Sequence, residues 1–248
     1  MVVDQELIDF LLYAKELYAF TNGEMNIMMG SVLKLWHDCR EASGANGIPE
    51  ADQLAEANKH TDISILEIDT EKRTVRISDP EASIDVGALG KGYATEKAAQ
   101  YLKNDGAESY VLNIGGNIRI IGNKPDGSGW RTGIKNPADT NTFASYITIA
   151  NTSCVTSGDY ERYFIVDGEK YHHIIDKDTL MPSKFFSSVT IITENSGLAD
   201  ALSTALFAMS YEDGLEVVEQ IGGVDVLWIT GNGEQYMTDG FAKLSSEN

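Results

Sequence analysis

Three stretches carry residue types and spacings that can do chemistry. The first is residues 83–94, SIDVGALGKGYA. An acid, Asp85, closes an apolar stretch. A turn with Gly87, Gly90 and Gly92 follows, carrying Lys91, and a helical pattern begins. Glycines allow close approach of backbone to a ligand, and a helix start offers unpaired N–H groups and the positive end of its dipole. With the lysine charge added, the turn suits a phosphate-bearing ligand, and Asp85 can accept from a polar ring or hydroxyl. The plainer reading is a glycine-rich strand-to-helix turn with a surface lysine. It is neither a Walker A loop, since no Ser or Thr follows the lysine, nor the dinucleotide fingerprint.

The second is residues 198–209, apolar nearly all round and so expected to be a buried helix. Asp200, Ser203 and Thr204 stand at i, i+3 and i+4, on one face. A buried carboxylate is costly unless it is paired or holds a metal. Carboxylate with hydroxyl is hard oxygen chemistry, suited to magnesium or calcium rather than zinc. The alternative is that Asp200 stabilises the helix start and Thr204 bonds back to the preceding turn.

The third is His172-His173 at the end of an expected strand. Strand neighbours point to opposite faces, so only one of the pair can face a given pocket. That one can be a general base or simply a half-buried polar residue. No cysteine or acid stands at zinc spacing. Residues 156–162, TSGDYER, can line a pocket with hydroxyls and an aromatic ring, or close a loop with an acid–arginine pair. Residues 113–117, NIGGN, can do likewise or merely break a hairpin.

The elements that must position these groups follow from periodicity. Residues 4–21 predict a helix capped by Asp4, with Leu7, Leu11, Ala14, Leu17 and Tyr18 as its stripe. Short helices are expected through Leu33 and Trp36 and after Pro49, with residues 44–47 as a loop between them; Met25, Met28 and Met29 read as core filler. Strands are expected at 63–68, 74–77, 109–114, 117–121, 130–134, 146–150, 188–193, 225–229 and 235–237. A hairpin is expected about Asp167-Gly168, joining 164–166 to 171–175. The helix after Lys91 is expected to present Ala94, Ala98, Tyr101 and Leu102 and to stop at Gly106. Helices are also expected at 212–220 and 198–209, and the tail after Lys243 is expected to fray. A weak repeat over 85–122 and 200–238 favours a single α+β domain, residues 1–248, of two related halves. Its core is expected to be a hairpin-rich mixed sheet with helices packed outside.

The 248 residues, at 42% hydrophobic and 23% charged, can bury a real core. A net charge of −19 repels nucleic acid and anionic membrane surfaces. Cys39 and Cys154 form no CxxC motif and read as two free thiols, with one long-range disulfide as the alternative. No apolar run is long enough to span a membrane.

Taken in order, these segments resemble the ApbE family, the FAD:protein FMN transferases. Residues 84–94 are similar to the family's "LDLGGIAKGYA", and 112–119 to "NLGGDIR". Residues 156–163 match "TSGDYERY", 173–176 "HIID" and 200–206 "DALATAL". Residues 21–26 stand where the family has "TGGAFD", and 33–36 where it has "LVxLW". The resemblance covers nearly the whole chain. It implies an ApbE-like fold and magnesium-dependent transfer of FMN from FAD to a threonine or serine hydroxyl of a target flavoprotein, with release of AMP. Two alternatives use the same site: a magnesium-dependent FAD pyrophosphatase giving FMN and AMP, or a non-catalytic FAD-binding module. By the resemblance Glu24, Met25, Asn26, Asp85, Lys91 and Ile174 contact FAD. The Ala88 carbonyl, Asp200, Thr204 and nearby Ser203 hold the metal, and His173 is the base. It further implies an exported, lipid-anchored full-length protein, although this chain shows no signal or lipobox. The chain departs from the pattern in three ways. The family's strands ahead of the first helix have no counterpart here, an acid has become Asn26, and an expected proline and glycine are Lys177 and Leu180.

Overall fold

Asp4 accepts the backbone N–H of Leu7 and so starts the first helix, as its residue type predicts. The computed structural model describes residues 1–45 and 47–246. Asn46, in the expected 44–47 loop, and the last two residues of the tail lie outside the described residues. In chain order the elements are α1 (Gln5–Phe20), α2 (Gly30–Glu41), α3 (Ala51–Asn58), β1 (Leu66–Asp69), β2 (Thr74–Ile77) and α4 (Gly90–Asn104). Next come β3 (Tyr110–Ile114), β4 (Asn117–Ile121), β5 (Trp130–Asn136), β6 (Asp139–Ile149), β7 (Ser153–Gly158), β8 (Tyr163–Val166) and β9 (Glu169–His172). The chain ends with β10 (Ser188–Thr193), α5 (Ser196–Ala205), α6 (Tyr211–Ile221), β11 (Asp225–Ile229), β12 (Gln235–Met237) and α7 (Asp239–Ser246).

The chain forms two compact units. One comprises Met1–Val86 and Glu161–Ser183, the other Gly87–Tyr160 and Lys184–Asn248. In the first, α1 buries Ile8, Leu11, Ala14 and Leu17, whereas Leu7 of the expected stripe stays 40% exposed. The buried stripe therefore begins at Ile8, one position later than the apolar pattern suggests. Residues 63–65 form a 3-10 turn instead of strand, because Asp62 accepts the Ser64 N–H and folds the chain locally. A core of Met29, Val32, Trp36, Leu54 and Phe164 joins α2 and α3 to the β8–β9 hairpin. The Trp36 indole N–H donates to the Leu180 carbonyl at 2.9 Å. Leu180 adopts φ +59°, the left-handed conformation that explains why the resembling segment has glycine there. The hairpin's second strand ends at His172, short of the expected 175, because the chain turns away through Asp176.

The second unit is built on a six-stranded sheet in the order β12-β11-β10-β7-β4-β3. The α+β class is borne out; the sheet, expected to be mixed, is antiparallel in every pairing. Hairpins β3–β4 and β11–β12 flank the central pair β7 and β10. Side chains alternate along β7, so Cys154 joins one face and Ser157 the other. The Cys154 face packs with Ile120, Ile134, Ile147, Ile149, Ile192, Leu227, Ile229 and Phe241. Phe241 is fully buried, which is why α7 stays helical through residues expected to fray. Helix α5 packs on β7 and β10, and α4 packs on α5. Cys39 and Cys154 are free thiols, and burial pushes Cys154 up to about 12.

Helix α4 buries a different face from the one expected. Gly92, Thr95, Glu96 and Ala99 point inward, while Ala94 and Tyr101 are exposed. The apolar pattern misled because the inward glutamate is neutralised by a partner from another strand, described below.

Candidate functional site

The turn at 87–92 and helix α5 meet around Asp200, which is 3% exposed. The Gly92 N–H donates to its Oδ2 at 2.7 Å and the Lys91 ammonium to its Oδ1 at 3.1 Å. The carboxylate thus sits against the positive end of α4, where an anion is favoured. Burial raises the Asp200 pKa, and the Lys91 charge and the Gly92 N–H oppose that rise. A Cβ added at Gly92 would lie 2.4 Å from both the Asp200 Cβ and the Ser196 carbonyl. Gly92 is therefore required by helix–helix packing, rather than by approach of a ligand as its sequence context suggests.

One turn further along α5, Ser203 donates to the Asp200 carbonyl at 2.9 Å, and Thr204 lies 3.5 Å from the same oxygen. This back-bond directs the Ser203 hydroxyl proton to the helix carbonyl and leaves its oxygen lone pairs. Ser157 on β7 joins them, 2.8 Å from Ser203 Oγ and 3.3 Å from Thr204 Oγ1. Ser157 stands in the polar 156–162 segment, but only the strand register shows that it faces α5. That segment is strand through Gly158, not a loop, and beyond it Asp159 accepts from the Ser187 hydroxyl at 3.1 Å. Ala88 lies two residues before α4, half-buried.

A buried polar chain, absent from the sequence-derived set, supports this cluster. Glu96 Oε2 accepts from Arg119 Nε at 3.0 Å and from the Ser196 N–H at 2.9 Å, so it caps α5 from α4. The Ser196 hydroxyl donates to Asn117 Oδ1 at 2.5 Å. The Asn117 Nδ2 is buried beneath Gly92, where it also helps the Asp200 carboxylate resist the upward push of burial. The periodicity of α4 gave no sign of Glu96, which lies on a face with Gly92, Thr95 and Ala99 rather than on the apolar one.

The remaining predicted residues belong to the first unit. The Asp85 N–H donates to the Ile27 carbonyl at 2.8 Å. Met25 is buried, its N–H held by Thr21 Oγ1 at 2.9 Å. The Asn26 amide donates to Thr61 O and accepts from Met28 N, both at 2.9 Å. Ile174 is buried, and its N–H donates to His172 Nδ1 at 3.3 Å. Glu24 pairs with Lys177 at 3.3 Å. Burial pushes Glu24 up to about 7 against the pull of Lys177. His172 is turned inward, its Nε2 at 2.8 Å from the Ser183 carbonyl. His173, on the other side, keeps a buried Nδ1 with no hydrogen-bond partner. Burial, with the Arg162 charge, lowers its pKa to about 4.

Among the described residues no three His, Cys, Asp or Glu side chains cluster as a metal cage. The Asp200 cluster fits a different kind of cation site. It offers one carboxylate, with two of its roughly four lone-pair directions taken by Lys91 and Gly92, and neighbouring hydroxyl oxygens. Magnesium is usually held in this way, by one or two carboxylates with substrate phosphates and water completing the shell. Lys91, 39% exposed, can move its ammonium from the carboxylate to a phosphate oxygen.

The ApbE family model matches residues 1–228. A Klebsiella pneumoniae protein named FAD:protein FMN transferase is 30% identical over 94% of this chain and 71% of its own length. A Vibrio cholerae protein of the same name is 32% identical over 99% and 72%. Among solved structures, the Thermotoga maritima ApbE protein superposes with a TM-score of 0.89 at 32% identity, covering 99% of this chain and 79% of that one. The Vibrio cholerae flavin transferase ApbE gives 0.82 at 29% identity, covering 98% and 78%. The same segments that build the Asp200 cluster are those whose order suggested the resemblance, and with these matches the chain belongs to the ApbE family.

Proposed function

We propose that this chain is an FAD:protein FMN transferase that cleaves FAD at its pyrophosphate, moves FMN onto a threonine or serine hydroxyl of a target flavoprotein and releases AMP. The names of its relatives support the activity. The observation that carries it is the Lys91–Asp200 pair beside Ser203 and Thr204, which supplies a mobile cation and hard oxygen donors to a diphosphate. Phosphoryl transfer needs positioning and charge neutralisation more than covalent chemistry. Magnesium, held by Asp200, Thr204, Ser203 and the Ala88 carbonyl, would neutralise phosphate oxygens when bound. Lys91 steadies the diphosphate. The acceptor hydroxyl oxygen bonds to the FMN phosphorus, the bond from that phosphorus to the bridging oxygen breaks, and AMP leaves with that oxygen. His173 takes the hydroxyl proton; its lowered pKa keeps the imidazole neutral and able to accept. Glu24, Met25, Asn26, Asp85 and Ile174 form the flavin-contact set. On the same resemblance the full-length protein acts outside the cytoplasmic membrane, anchored by lipid.

The test is incubation of the chain with FAD, magnesium and a candidate acceptor flavoprotein, followed by gel fluorescence and nucleotide chromatography. Covalent fluorescent acceptor with stoichiometric AMP is the expected result. FMN and AMP without labelled acceptor would make it a pyrophosphatase, and intact FAD a binding module.

A further inference from the structure

His60, which no step of the proposed reaction uses, stands between two carboxylates just past the end of α3. Its Nδ1 lies 2.7 Å from Asp79 Oδ2, and its Nε2 lies 3.5 Å from Glu81 Oε2. The Asp79-Pro80-Glu81 turn sets up this arrangement. Pro80 restricts the backbone, and the Glu81 N–H donates to Asp79 Oδ1 at 2.8 Å, which leaves Oδ2 for the imidazole. The His60 side chain is 17% exposed, whereas that of Glu81 is 73% exposed and free to swing. The His60 Nε2 itself is buried and has no hydrogen-bond partner. With Nδ1 donating to Asp79, a neutral ring turns the Nε2 lone pair toward a carboxylate, and a protonated ring offers that carboxylate an N–H. The geometry suits the imidazolium.

The contact fastens two runs of backbone. The Thr61 carbonyl, next along from His60, accepts the Asn26 amide at 2.9 Å. Beyond Asp79 the chain passes Ser83, which packs against Gly30, and reaches Asp85, whose N–H donates to the Ile27 carbonyl. Resting on the flavin-transferase reading above, we infer that His60 is a positioning residue with a proton switch. Its imidazolium clips residues 78–86 to the end of α3 and so steadies Asp85 and Asn26, and loss of the proton loosens the clip. The charged groups facing the ring are Asp79 and Glu81 from the turn and Glu56 from α3, the last paired with Lys59. The hydrogen bond to Asp79, helped by these charges, holds the His60 pKa above the ordinary 6.5. The clip is therefore closed below 6.5 and opens as pH rises through the raised value. On opening, Glu81 loses its partner, and the bond to Asp79 falls from charge-assisted to neutral, about half as strong.

The test is hydrogen–deuterium exchange of the full chain from about pH 5 to about pH 9, read as protection factors for residues 78–86. In the parent chain protection should fall about fivefold as pH rises, the difference between a charged and a neutral hydrogen bond. His60→Gln should show the lowered level throughout. His60→Lys keeps a cation beside Asp79 and Glu81, and should show the raised level without a step. Glu24 titrates in the same range but is intact in both variants. A step that survives in His60→Lys would thus belong to Glu24 and overturn the inference, as would pH-independent protection in the parent chain, which needs no variant to fold. Calorimetry with FAD in the same buffers separates the two readings. A step in protection with no matching step in FAD affinity supports the clip but removes Asp85 and Asn26 from the flavin-contact set. A parent chain that binds no FAD at any pH would sink the transferase reading, with the exchange result still deciding the clip.

Discussion

The Lys91 ammonium and the Asp200 carboxylate, 109 residues apart in the chain, meet at 3.1 Å. The lysine is half-exposed and the aspartate buried, so the pair is a charged contact with one movable member. Lys91 opposes the upward push that burial exerts on Asp200. Lys91→Met should therefore raise the Asp200 pKa further. The carboxylate would then be protonated at higher pH, and the acid limb of the kcat/KM profile for FAD cleavage should move upward in pH. Asp200→Asn keeps the shape and the Gly92 contact but removes the charge, and should lower cleavage by about a hundredfold or more. A pH–rate series on the two variants checks both.

Gly92→Ala should both destabilise the protein and impair the site. The new Cβ would fall 2.4 Å from the Asp200 Cβ and the Ser196 carbonyl, and neither of those atoms can swing aside. Overpacking of this kind costs about 1–3 kcal/mol. Urea denaturation should show that loss, and cleavage of FAD should fall more than stability alone explains.

Glu96→Gln leaves Arg119 buried without its counter-charge and weakens the cap on α5. Removing one partner of a buried pair costs about 3–5 kcal/mol. Replacing Glu96 and Arg119 together by Met should cost less, because no lone charge remains. The ordering of the two midpoints in urea is the measurement.

Glu24 makes stability fall as pH rises. Its folded pKa of about 7 lies above the ordinary 4.5, so the folded chain holds this proton more tightly than the unfolded chain does. Its contribution favours folding below about 4.5 and is lost progressively as pH climbs to about 7. Across that window the loss is on the order of 3 kcal/mol. Glu24→Gln should flatten this part of the stability–pH curve, and its midpoint at pH 7.5 should exceed that of the parent chain.

Much of this was legible in residue order. Asp4 as a cap, the turn at Asp167-Gly168, the strand at β10 and the hairpin β11–β12 depend on a few adjacent residues, and each formed where expected. The i, i+3, i+4 spacing of Asp200, Ser203 and Thr204 put them on one helix face for the same reason, since 3.6 residues make a turn whatever lies elsewhere. Which face α4 would bury could not be read in that way. Glu96 is inward because Arg119 comes to it from β4, and Ser157 faces Thr204 because the register of β7 against β10 turns it there. Likewise Gly92 is a packing glycine only because Asp200 lies across it. Periodicity is a property of neighbours along the chain. The partner of a buried charge is chosen by whichever distant strand or helix the fold brings within 3 Å, and that only the tertiary structure decides.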